Sequence, residues 1–166
     1  MRFVAPAELR SVDASALDEL VGRNDMIVAA GAGEVQGLAA AVLLFADYAV
    51  LDVGATLSID ANETWAAAAW RLGRGALKLY LDQRTRLTAV AASELGLCDE
   101  VIAGDAQRWL DRWMQGRSAL ALDSAAALIR RRGGDALERA EFSRLFAIGE
   151  PQQGLRAFLG RRSNFV

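Results

Sequence analysis

Met26-Ile27-Val28-Ala29-Ala30-Gly31-Ala32-Gly33-Glu34-Val35-Gln36-Gly37-Leu38-Ala39-Ala40-Ala41-Val42-Leu43-Leu44-Phe45-Ala46-Asp47 is the stretch that decides the fold. Met26 to Ala30 is short and apolar and runs into Gly31 and Gly33, the pattern of a buried strand leaving into a loop. Gly37 to Ala46 is apolar nearly all round, as expected of a helix covered on every side. Asp47 to Val53 then reads as a second strand, so the segment is one βαβ unit.

Working outward, Ala16, Leu17, Leu20 and Val21 fall at helical spacing after Asp13 and Ser15, either of which suits a helix start. Beyond Thr64 the periodicity is helical in Trp65–Leu72, Ala76–Leu81, Ala89–Leu95, Ala106–Met114, Ala119–Arg131 and Leu137–Ala147. Gly96 stands where a helix would end, and Leu97 to Ile102 suits a short strand. No internal repeat or linker divides the chain, and its 166 residues suit one domain.

Composition narrows the chemistry. Apolar residues make up 53% and charged residues 24%, a balance that favours a packed core over disorder. A formal net charge of -2 provides no basic field for a nucleic acid or an anionic membrane surface. The longest apolar run, Leu38 to Ala46, is far shorter than the ~20 residues of a spanning helix. One cysteine, Cys98, and an opening Met1-Arg2-Phe3-Val4-Ala5-Pro6 without a long apolar core lead to a cytoplasmic expectation. With no histidine, the usual zinc sites and Ser-His or Cys-His pairs are excluded, which leaves carboxylates, hydroxyls, cationic side chains and backbone amides.

Three segments, in order, resemble the crotonase (enoyl-CoA hydratase/isomerase) superfamily. Ala30-Gly31-Ala32-Gly33-Glu34-Val35-Gln36-Gly37-Leu38, continued to Ala46-Asp47, is similar to the family's glycine loop, buried helix and trailing Ala-Asp. Arg71-Leu72-Gly73-Arg74-Gly75-Ala76-Leu77-Lys78, then Leu87-Thr88-Ala89 and Glu94-Leu95-Gly96-Leu97-Cys98-Asp99-Glu100-Val101, is similar to the helix pair after the active site. Glu150-Pro151-Gln152-Gln153-Gly154-Leu155-Arg156-Ala157-Phe158-Leu159-Gly160-Arg161-Arg162 resembles the terminal helix.

The resemblance implies a helix-rich α/β fold: a partial crotonase-like ββα spiral core over 1–104, with a helical carboxyl-terminal oligomerisation region over 105–166, in a single domain. It implies an acyl thioester, of coenzyme A or a carrier, as the ligand, with no cofactor beyond the coenzyme A of that substrate. Two backbone N–H groups would hold the thioester oxygen as an enolate forms. One falls on Leu38, where the family prefers glycine, beside Gly37 and Glu34 as substrate-binding candidates. The other comes from an upstream segment that has no recognisable counterpart in this sequence. The family's two acid–base glutamates fall on Ala41 and near Ala61, leaving Asp60 and Glu63 as the catalytic candidates.

Each candidate has a plainer reading. Asp60 suits a cap for the helix near Asn62, and Glu34 suits simple dipole stabilisation at a helix start. Trp65, Trp70, Trp109 and Trp113 suit core or subunit contacts, and Arg130-Arg131-Arg132 suits a solvated helix end more than a phosphate site. If active, the chain would be a lyase or isomerase with non-standard residues. The alternative is a non-catalytic assembly or binding subunit. The resemblance further implies a homotrimer or hexamer, or association with a full-length crotonase homologue.

Overall fold

In the computed structural model, which describes residues 1–83, 85–130, 134–149, 151–152 and 156, strand β2 (Ile27–Gly31) is buried along its whole length. It lies between β1 (Arg2–Val4) and β4 (Tyr48–Asp52), and β7 (Glu100–Ile102) completes a four-stranded sheet in the order β1-β2-β4-β7. All three pairings are parallel. Parallel strands need crossovers, and the crossovers here place helices on both faces. That is why β2 reads as an unbroken apolar run instead of an alternating one.

Side chains nevertheless alternate between two cores, because successive residues of a strand point to opposite faces. Ile27, Ala29, Ala49 and Leu51 join one cluster with helix α3 (Gly37–Phe45) and helix α4 (Asn62–Leu72). Val28, Ala30 and Val50 face the other, beneath helix α7 (Ala106–Met114) and helix α8 (Ala119–Arg130), which supply Trp109, Leu110 and Ala126. Leu43 and Leu44 of α3 are wholly buried, each a burial that stabilises by about 1.5–3 kcal/mol.

A smaller sheet holds β3 (Glu34–Val35), β5 (Thr56–Ser58) and β6 (Arg86–Thr88), with β3 and β5 parallel and β5 and β6 antiparallel. The remaining elements are α1 (Pro6–Leu9), α2 (Ala14–Gly22), α5 (Gly75–Leu81), α6 (Ala89–Glu94) and α9 (Asp135–Ala147). Every strand among the described residues lies before Ala103, and the elements beyond it are helices. The expected βαβ unit and the expected helices are therefore present, most with bounds within a few residues.

The segment before the glycine loop, expected to hold one strand-like start and one helix, forms β1 at Arg2–Val4, hydrogen-bonded beside β2, and α2 at Ala14–Gly22. A strand of three residues depends on its neighbour for stability. One expectation changes. Asp60 is not the cap of α4: Ala61 occupies that position, and Thr64 Oγ1 donates to Ala61 O at 2.6 Å and lies 3.1 Å from Ala61 N–H. Of the segment likened to the terminal helix, only Pro151, Gln152 and Arg156 are among the described residues.

Candidate functional site

The loop between β2 and α3 is shaped by close packing. A side chain at Gly31 would place its Cβ 2.8 Å from Val35 Cγ2 and 2.9 Å from Leu51 Cδ2, so Val35 and Leu51 would have to shift to admit one. Gly37 then opens α3 with φ of +55°, a conformation that side-chain-bearing residues adopt at a cost. Ala40 N–H donates to Gln36 O at 3.4 Å, so the Leu38 amide, one residue into the helix, precedes the first N–H that donates within it. It stands at the positive end of an apolar helix, where developing negative charge is stabilised. The Leu38 side chain is half-buried.

β3 and β5 run parallel with Glu34 opposite Thr56 and Val35 opposite Leu57, so both leave the small sheet at the same end. One exit leads to Gly37 and Leu38, the other to Ile59 and Asp60. Asp60 is exposed and lines a hollow of about 530 Å³ with Trp65, Tyr80, Leu81, Gln83 and Thr85. Glu63 lies exposed in the first turn of α4, where it complements that helix's dipole. Glu34 is exposed and its Oε1 lies 3.1 Å from Arg86 Nη2, a cross-sheet ion pair in place of a helix-dipole contact. Ala41 is wholly buried in the α3 core. Ala61 is half-buried at the start of α4.

The upstream strand adds a feature that the sequence does not announce. Where β1 ends, Ala5, Pro6 and Ala7 line a cavity of about 340 Å³ with Gly31, Ala32, Asp52 and Gly104. These residues sit at the carboxyl ends of β1, β2, β4 and β7, the end of a parallel sheet at which α/β folds bind ligands. The one available signal is Phe3-Val4 followed by Pro6, an apolar pair with a proline in the first helical turn.

Several residues that carry the resemblance are structural latches at the opposite end of the sheet. The first N–H groups of parallel strands lack a ladder partner and need another acceptor. Ile27 N–H donates to Asp47 Oδ2 at 2.7 Å, and Ala49 N–H to Asp99 Oδ2 at 2.7 Å. Each carboxylate is held by an arginine, Asp47 by Arg130 and Asp99 by Arg71. Arg71 Nη1 also donates to Ala46 O at 2.9 Å. Arg130 is therefore no solvated end of a charge run; Arg131 and Arg132 lie outside the described residues. Two cavities of about 230 and 450 Å³ flank this end and share Phe45, Ala46, Trp70 and Arg130. Trp109 is a core residue, stacked on Tyr48 with ring centroids 6.0 Å apart.

Burial pushes the Cys98 thiol up to about 11 from 9.0, so the thiol is protonated in the native protein while the unfolded chain ionises first. The stabilisation from this difference is present below pH 9 and is lost as pH rises from 9 to 11. Unfolding free energy is expected to fall by on the order of 2 kcal/mol across that window. Urea titrations of the parent and Cys98→Ala check this: an equally steep fall in the variant would assign the loss to another group.

No family model matches the chain, and no curated protein matches it in sequence. Solved structures do match in fold. An enoyl-CoA hydratase from Polaromonas sp. JS666 superposes with a TM-score of 0.70 at 23% identity, covering 94% of this chain and 66% of that one. An enoyl-CoA hydratase/isomerase from Cupriavidus metallidurans CH34 gives 0.69 at 20% identity, covering 89% and 62%. An enoyl-CoA hydratase from Thermoplasma volcanium GSS1 gives 0.71 at 20% identity, covering 91% and 71%. The chain thus spans less than two thirds of the length of the first two. Among the described residues no helix is long and apolar enough to cross a membrane. These likenesses at 20–23% identity show the fold, and the chain is built on the crotonase fold.

Proposed function

We propose that this chain binds an acyl thioester and promotes enolate formation on it, with the Leu38 amide as oxyanion donor and Asp60 as base. The observation that carries the reading is the parallel exit of β3 and β5, which brings an unpaired helix-start amide and a carboxylate to one end of the small sheet. The Asp60 carboxylate takes a proton from the carbon next to the thioester carbonyl. The C–H electron pair becomes the C=C bond of the enolate, and the charge collects on the oxygen facing the Leu38 N–H. Preorganised donors of this kind give the largest single contribution to many such reactions. Asp60 is preferred over Glu63 because it lines a hollow with aromatic walls. An upstream donor at the exit of β1 is supported by the cavity that Ala5 and Ala7 share with Gly31 and Ala32.

A second reading, a non-catalytic binding or assembly subunit, is favoured by the buried methyl group of Ala41 and by the pairing of Glu34 with Arg86. Thermal unfolding with a panel of coenzyme A thioesters separates the two, combined with exchange of the thioester's α-protons in deuterated water. A ligand at 100 times its dissociation constant adds about 2.7 kcal/mol to native stability. The expected result is a clear rise in Tm, with α-proton exchange that Asp60→Asn reduces by about a hundredfold or more. A Tm rise without exchange would replace the enzyme by the binding subunit, and no rise with any thioester would sink thioester binding altogether. We further propose that the chain assembles into trimers or hexamers, in support of which α9 buries none of its residues although it carries Phe142 and Phe146.

A further inference from the structure

We infer that the acyl half of this site takes an arylacetyl group, its ring seated in the hollow beside Asp60; the inference rests on the thioester reading above. Trp65 and Tyr80 stand with ring centroids 5.3 Å apart and planes at 81°, an edge-to-face corner. The corner is open. α5 sends Ala76 and Leu79 into the core but leaves Tyr80 61% and Leu81 69% exposed, an apolar surface that folding alone does not use. At about 530 Å³ the open hollow has the volume of a small-molecule site, with Trp65, Tyr80 and Leu81 facing the polar Asp60, Gln83 and Thr85.

Its far wall is held in place. Gln83 has φ of +52°, the single positive value outside glycine among the described residues, and a side-chain-bearing residue adopts that conformation at a cost. Hydrogen bonds sustain it: Gln83 N–H donates to Tyr80 O at 3.1 Å, Thr85 N–H to Gln83 O at 3.1 Å, and Ile59 N–H to Thr85 O at 2.6 Å. The last bond ties the turn to the residue beside Asp60.

A flat ring fits such a corner best, because it can stack on one aromatic wall and present an edge to the other. A saturated chain would gain most from an enclosed tunnel instead. The chemistry agrees with the geometry. In an arylacetyl thioester the carbon to be deprotonated lies between ring and carbonyl, so a ring against Trp65 and Tyr80 leaves that carbon beside Asp60, which lines the same hollow. The ring also delocalises the charge of the enolate, which suits a site with one carboxylate base. The proton moves to Asp60 and the electron pair to the carbonyl oxygen; reprotonation from solvent restores both, and nothing else is consumed.

Calorimetric titration of the whole chain with acetyl-CoA, hexanoyl-CoA and phenylacetyl-CoA tests this, repeated on Tyr80→Ala and Tyr80→Phe after a Tm check of each variant. Phenylacetyl-CoA is expected to bind about tenfold more tightly than hexanoyl-CoA. Tyr80→Ala should abolish that preference, and Tyr80→Phe should keep it. Hexanoyl-CoA binding as tightly as phenylacetyl-CoA would overturn the arylacetyl assignment and leave the thioester reading standing. A preference that survives Tyr80→Ala would place the ring elsewhere and overturn it too. Failure of all three thioesters to bind would overturn both.

Discussion

Asp47→Ala is expected to lower the unfolding free energy by about 3–5 kcal/mol, the usual cost of removing one partner of a largely buried ion pair. The Asp47 carboxylate accepts the Ile27 N–H at 2.7 Å and is gripped by Arg130, with Nε 3.0 Å from Oδ1. Arg130 also donates to Arg23 O at 2.6 Å and Asp25 O at 3.0 Å. Both charged side chains are under a fifth exposed, 18% for Asp47 and 19% for Arg130. Removing the carboxylate leaves a strand amide without its acceptor and a guanidinium without its counter-ion. Asp47→Asn keeps an oxygen for Ile27 and should cost roughly half as much. Urea unfolding measures both. A loss under 1 kcal/mol for Asp47→Ala would mean that water replaces the latch and that α8 is held by its apolar contacts alone.

The second large effect is expected from Ala41→Glu, which returns a carboxylate to a position where the resemblance places an acid. Ala41 is 0% exposed, between Ala40 and Val42 on a helix buried from Ala40 to Leu44. A glutamate there must carry an unpaired charge into the core or stay protonated, and its added volume overpacks the site. Each alternative is destabilising, and together they are expected to cost about 4 kcal/mol or more, enough to threaten a domain of ordinary stability. Ala41→Ser, with similar volume and a single hydroxyl, should cost about 1–2 kcal/mol. The measurement is again urea unfolding. Near-parent stability for Ala41→Glu would show that solvent reaches this face of α3, and a thioester pocket would then extend there.

The two predictions locate what the residues around α3 do. At its carboxyl end, Ala46-Asp47 belongs to the latch that fixes β2 to α8. At its amino end, Gly37 and Leu38 offer a free amide. The Ala-Asp signature and the Leu-Gly-Leu-Cys-Asp run thus record the architecture more than the chemistry, because both aspartates serve strand amides. The same fold can persist after the acids of the reaction have gone, as Ala41 and Ala61 illustrate.

Local pattern by itself determined the βαβ unit, the buried character of α3 and the helices after Thr64, since each rests on periodicity within one segment. It also determined that no ionisable group occupies positions 41 and 61. Tertiary structure alone decided the rest. β3, β5 and β6 are two or three residues long, too short to alternate visibly, and exist because neighbouring strands supply their hydrogen bonds. Arg130 is in line with two other arginines in the sequence, and only the approach of α8 to β2 gives it Asp47. Trp65 and Tyr80 are separated by a helix end and a turn, yet packing α5 against α4 turns them into one aromatic corner beside Asp60. Such pairings depend on contacts between distant segments, whose energies no short window of residues contains.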